Sequence, residues 1–256
     1  MKQHVLNWQN YISEDVDPES IDLSSFEVQD ELNSKVWTDR QLDSEIRDRL
    51  VEIADNFWRS LDIDWADVKD VTFTGSLANY NWSSFSDIDL HIIVDFAEVD
   101  DNEDLVRDYF NAKRALWNRM HDIKIHGFEV EIYLEDEKES HISTGLYSVT
   151  RGEWIAEPTR FREDFDERGV KNKAAGLMDE VDRIQELIDD EEYGETIMSV
   201  DRLKEKIRKM RKTGLESKGA FSIENLAFKV LRRTDYMGKL GEFKRSAYDS
   251  KMSINQ

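Results

Sequence analysis

Apolar residues first recur at helical spacing from Leu42: Leu42, Ile46, Leu50, Ile53, Ala54, Phe57 and Leu61 share one side of a helix. Thr38 with Gln41 three residues later has the form of a capping box, so the pattern predicts a helix opening at Thr38. The pattern then changes. Residues 70–74 predict a strand broken by Gly75, residues 77–86 a polar loop, and residues 88–95 a second strand entered through Asp87 and Asp89. A helix is expected over 102–121, with Leu105, Tyr109, Ala112, Leu116 and Met120 forming its apolar side and Gly127 stopping it before a third strand at 128–134. A hairpin is expected over 141–155 around the Arg151-Gly152 turn. After Pro158 strand signals cease and helices are expected at 172–192, 197–213, 222–236 and 237–250, the third capped by Ser222. These elements predict an α/β (α+β) chain with a small mixed sheet and flanking helices, followed by a helical C-terminal subdomain. The expected divisions are 1–37, an acidic and loosely ordered lead-in; 38–158, the sheet-bearing domain; and 159–256, the helical subdomain.

Composition narrows the chemistry. The 12 Phe, 8 Tyr and 7 Trp in 256 residues suffice for a core, and no apolar run approaches the roughly 20 residues of a membrane span, so a cytoplasmic protein with no membrane partner is expected. With no cysteine, and five histidines that form no HxH or HxxxH pair, a metal would be held by oxygen. The net charge of -21 opposes nucleic-acid binding by the whole surface. Residues 202–256, however, carry 15 Lys and Arg against 6 Asp and Glu. Lys204 to Lys212, with Arg232 and Arg233, are either a triphosphate- or RNA-binding face or a solvated face paired to acidic residues.

Thr74-Gly75-Ser76 is followed, ten residues on, by Asp87-Ile88-Asp89-Leu90. Strand alternation puts Asp87 and Asp89 on one side and Ile88 and Leu90 in the core. Two such carboxylates repel unless a cation lies between them, and oxygen ligands select a hard ion such as Mg²⁺. Gly75 allows close backbone approach to phosphate, while the Ser76 hydroxyl and nearby amides can donate to it. Two-ion chemistry needs a third carboxylate, for which Glu129 and Glu131 are candidates and mid-strand Glu131 is favoured.

Structural roles compete at several positions. Asp87 and Asp89 could form a solvated acidic turn, Ser76 a helix cap and His91 a hydrogen-bonded core histidine. Asn79, Tyr80, Asn81, Trp82 and Ser83 could surround a base or ribose, or pack on the sheet. Tyr147 and Ser148 could line a cleft or belong to the core.

Phe73, Gly75, Ser76, Asp87, Asp89 and Glu131 occur in the order and spacing of the DNA polymerase beta-like nucleotidyltransferase superfamily, which the chain resembles over about residues 40–155. The segments GSLANYNWSSFSDIDLH and ENLAFKVLRR are also similar to nucleotidyltransferase-like proteins of tailed phages, which would place the chain in the host cytoplasm. The resemblance implies a nucleotidyltransferase fold and NMP transfer from an NTP, ATP favoured, to an acceptor hydroxyl on RNA, protein or a small molecule. It also implies phosphate binding by Gly75 and Ser76, and two Mg²⁺ ions, with Mn²⁺ as a substitute, on Asp87, Asp89 and Glu131. A glutamate stands where the family more often has a third aspartate. The alternative is a catalytically silent or antitoxin-like binding protein of the same fold.

Overall fold

The computed structural model describes residues 15–139, 144–160 and 164–254. Residues 141–143 at the start of the expected hairpin, and residues 1–14 of the lead-in, lie outside them. The chain divides into two units: Ser24–Arg162, and Met1–Leu23 with Glu163–Gln256.

In the first unit β1 (Trp37–Thr38) and β2 (Gln41–Leu42) form a hairpin ahead of α1 (Ser44–Arg59). The expected capping box is therefore not a helix start. Asp39 and Arg40 both take positive φ in the turn between Thr38 and Gln41, as a two-residue hairpin requires. The helix begins instead behind Asp43, whose carboxylate accepts from the amides of Glu45 and Ile46. Trp37 explains why the hairpin wins: it is buried, stacked on Phe73 and Trp154 and edge-on to Tyr147.

The main sheet comprises β3 (Val68–Thr74), β4 (Ile88–Val94), β5 (Lys124–Ile125), β6 (Phe128–Asp136), β7 (Leu146–Ser148) and β8 (Glu153–Ala156), in the order β5-β6-β4-β3-β7-β8. β4 and β6 are parallel and the other pairs antiparallel, so the sheet is mixed and the class is α+β. Ile88, Leu90, Ile92, Phe73 and Ile132 join Ile46, Leu50, Ile53 and Phe57 of α1 in one core. Burial of this kind contributes about 1.5–3 kcal/mol per large side chain.

A short helix α2 (Phe96–Val99) leads to α3 (Glu103–Met120), which follows the expected range but turns a different side inward. Val106 and Phe110 are buried and Trp117 packs on the core, whereas Leu105, Tyr109, Leu116 and Met120 are exposed. Aromatic contacts decide the orientation: Phe110 meets Phe96 with ring centroids 5.2 Å apart, and Trp117 meets Phe57 at 5.3 Å. The helix stops at His121. Gly127 belongs instead to the tight β5–β6 turn, where His126 and Gly127 both have positive φ.

The lead-in is more ordered than its charge suggests, because Ile21, Leu23, Phe26 and Leu32 are buried. It is divided between the units after Leu23, rather than forming a body of its own over 1–37. In the second unit, α4 (Glu167–Asp189), α5 (Tyr193–Lys218), α6 (Ile223–Arg233) and α7 (Tyr236–Met252) pack together. Val170, Val181, Val200, Ile207, Val230 and Leu240 lie in their interior. Ser222 caps α6 by accepting from the Asn225 amide, and Glu224 in its first turn pairs with Lys173 at 2.8 Å. No helix among the described residues is long and apolar enough to cross a membrane.

Candidate metal and phosphate site

Asp89 occupies the middle of three adjacent strands, opposite Thr74 on β3 and Glu131 on β6. Cross-strand neighbours project to one side of a sheet, so this register brings Asp89 and Glu131 together while Leu90 and Ile132 enter the core. Asp87 lies two residues earlier on the same side. One carboxylate oxygen from each of Asp87, Asp89 and Glu131 lies within 4.8 Å of the others, and all three residues are half-buried. For half-buried groups, with an effective dielectric between about 20 and that of water, each pair at that separation repels by about 1–3 kcal/mol. A divalent cation offsets this repulsion, and three carboxylate oxygens are the donor set a hard ion takes. The triad can hold a metal ion, and among the described residues it is the one group of this kind. Glu129 is elsewhere, paired with Lys124 at 3.4 Å and largely exposed.

Gly75 is required by its neighbour as well as by its backbone. It has φ 81° and ψ -164°, a conformation essentially confined to glycine. A Cβ there would fall 1.9 Å from Asp89 Oδ2. Ser76 opens a short 3₁₀ turn, Ser76–Ala78, whose N-cap position is taken by Gly75 rather than by Ser76. The Ser76 hydroxyl bonds to the Ser86 hydroxyl at 2.7 Å, while Ser86 Oγ accepts from the Ser83 amide at 3.0 Å. The two ends of the loop are thereby tied together beside the acids. Asn79 closes the turn by donating to the Gly75 carbonyl at 2.8 Å. Tyr80 and Trp82 pack on the core, with the Tyr80 carbonyl accepting from the Gln29 amide and the Trp82 indole donating to the Glu31 carbonyl.

No family model, curated protein or solved structure matches the chain. The site is therefore read from its own geometry.

Three supporting residues escaped the sequence reading. Tyr133, two residues beyond Glu131 and so on the same face, donates to Glu131 Oε2 at 2.5 Å. Burial, and then the charge of Glu131, raise its phenol above the usual tyrosine range, so it remains a neutral donor. Asn118 of α3 accepts from the Ile132 amide and donates to the Ile132 carbonyl, both at 3.1 Å, fixing the strand beside Glu131. Arg114, one turn earlier, lies over the Tyr133 ring with its guanidinium carbon 4.7 Å from the centroid. Only Tyr133 left a readable signal, in its alternation with Glu131.

His91 is 2.7 Å from Glu135 through Nδ1 and stacks on Tyr133, the hydrogen-bonded role weighed from sequence. Tyr147 and Ser148 do not line an open cleft. Tyr147 is 1% exposed among Trp37 and Trp154. Ser148 is fully buried and bonds Asp70 at 2.7 Å. In the helical unit the basic residues are largely engaged: Lys206 pairs with Glu180, Arg208 and Lys209 pair with Glu205, and Arg211 stacks on Phe228.

Proposed function

We propose that the chain is a metal-dependent nucleotidyltransferase that moves an NMP from an NTP, ATP favoured, to an acceptor hydroxyl and releases pyrophosphate. The convergence of Asp87, Asp89 and Glu131 beside the glycine-only turn at Gly75 carries this reading. Asp87, Asp89 and Glu131 would hold the divalent ions, Mg²⁺ or Mn²⁺. Such ions, when bound, neutralise a triphosphate and favour ionisation of an attacking hydroxyl. Gly75 lets the Asp89 carboxylate lie directly against the turn, in the place a side chain would take. Ser76 and Ser86 supply hydroxyls at the loop ends, and Tyr133 holds one oxygen of Glu131 by its hydrogen bond, which steadies the carboxylate. Alignment and charge complementarity are then the chain's main contributions.

The test is incubation with each α-labelled NTP, Mg²⁺ or Mn²⁺, cellular RNA and cell lysate. Label is expected in one acceptor fraction, with pyrophosphate released in equal amount, and Asp89→Asn should remove both. Failure of every NTP to release pyrophosphate, or full turnover by folded Asp89→Asn, would defeat the proposal.

A further inference from the structure

Helix α3 has an apolar stripe on each of two sides, although its own unit covers only one. Val106, Phe110 and Trp117 face the core, while Leu105, Tyr109, Leu116 and Met120 are 59%, 37%, 43% and 68% exposed. With exposed Ala112, these outward residues are spaced by four, three, four and four positions, the alternation that one helix uses to seat another. The two stripes lie about 100° apart around the helix, so the core that covers one leaves the other open.

The charges flanking the outer stripe identify what fits it. At 100° per residue, Asp104, Asp108 and Arg119 all lie along the same edge of the stripe. The acids stand near the start of the helix and the arginine near its end. All three are exposed, and none makes an ion pair among the described residues. The charges on the inner side are already engaged: Glu103 with Lys138, Arg107 with Glu139, and Arg114 over Tyr133.

We propose that the outer face of α3 pairs with the same face of a second copy of this chain, the two helices running antiparallel about a two-fold axis near Ala112. Antiparallel pairing sets like edges against each other. Arg119 of each copy then falls level with Val106 of the other, between Asp104 and Asp108. The same operation places Leu105 against Met120 and Tyr109 against Leu116, with the small Ala112 where the helices approach most closely. The interface is isologous, closes as a dimer and leaves no repeat of the surface open. Parallel pairing would set this edge against the partner's other edge and leave Arg119 about 16 Å along the axis from Asp108, and an unrelated apolar helix would leave Arg119 unmatched. This inference does not depend on the proposed activity.

Sedimentation of the full chain tests it. A single-helix interface about 27 Å long is small, so a dissociation constant on the order of 10–100 µM is expected. Across that range the mass should rise from 30.1 kDa toward twice that value. Leu116→Glu should keep the protein monomeric. Arg119→Asp should weaken association by about tenfold or more, and adding Asp104→Arg and Asp108→Arg should restore it. These positions are exposed, and circular dichroism checks that each variant is folded. A wild-type chain that stays monomeric at several hundred micromolar, or a dimer indifferent to Leu116→Glu, would overturn the proposal. Restoration by the charge exchange would identify the partner as a second α3 rather than another protein.

Discussion

Replacing Gly75 with alanine tests whether the turn and the triad form one structure. The added Cβ would stand 1.9 Å from Asp89 Oδ2, 2.9 Å from Cγ and 3.3 Å from Cβ, so the carboxylate must swing away or β3 and β4 must part. Alanine must also hold φ 81° and ψ -164°, at a cost of about 1–3 kcal/mol. For a unit of this size that corresponds to a fall in Tm of about 3–9 °C. Displacing Asp89 removes one of three ligands, so Mn²⁺ affinity should fall at least tenfold, or about 1.4 kcal/mol. Gly127→Ala separates strain from clash: that residue has φ +91° but nothing within 4 Å of a new Cβ. It should lower Tm while leaving Mn²⁺ binding unchanged. Melting curves and Mn²⁺ titration followed by electron paramagnetic resonance measure both quantities. Binding by Gly75→Ala within twofold of wild type would refute the reasoning.

Removing one charge from the triad should stabilise the metal-free fold. Asp89→Asn relieves repulsion at 4.8 Å and should raise the metal-free Tm by a few degrees, for a gain of about 1 kcal/mol, while abolishing the rise that Mn²⁺ gives wild type. A lower metal-free Tm would contradict this. Asn118→Leu strips both partners from the buried Ile132 backbone and should cost about 2–4 kcal/mol in denaturant unfolding, with faster exchange of the Ile132 amide; unaltered exchange would show that Asn118 is not what holds the strand. Burial, followed by Asp182 and Asp179, pushes the Tyr236 phenol from 10.0 up to about 12. Because folding favours the protonated form, its stabilisation is complete below pH 10 and lost between pH 10 and 12. Wild type should therefore lose Tm more steeply than Tyr236→Phe over that interval, and parallel curves would exclude the effect.

The readable elements were those whose pattern and tertiary demand agree. An apolar run entered by two acids specified β4, and alternation put Asp87 and Asp89 together before any neighbour was known. Periodicity misled at α3 because that helix has two apolar stripes; contacts of Phe110 and Trp117 with Phe96 and Phe57, distant in sequence, select the inner one. It misled at Thr38 because nothing in the side chains of Asp39 and Arg40 announces a left-handed pair, and burial of Trp37 holds the hairpin.

The third carboxylate shows the same division between local pattern and long-range constraint. Glu129 and Glu131 share a face, so alternation cannot separate them; register does. The turn at His126 and Gly127 sets Phe128 opposite Ile125 and Glu129 opposite Lys124. Beyond the end of β5, Asn118 takes both hydrogen-bonding groups of Ile132 and fixes the level at which β6 continues. Parallel pairing then brings Glu131, rather than Glu129, opposite Asp89. A slip of two residues would keep every core-facing side chain on its side while exchanging one glutamate for the other. Core burial alone therefore does not specify the triad; the turn on one side of β6 and the Asn118 clamp beyond it do.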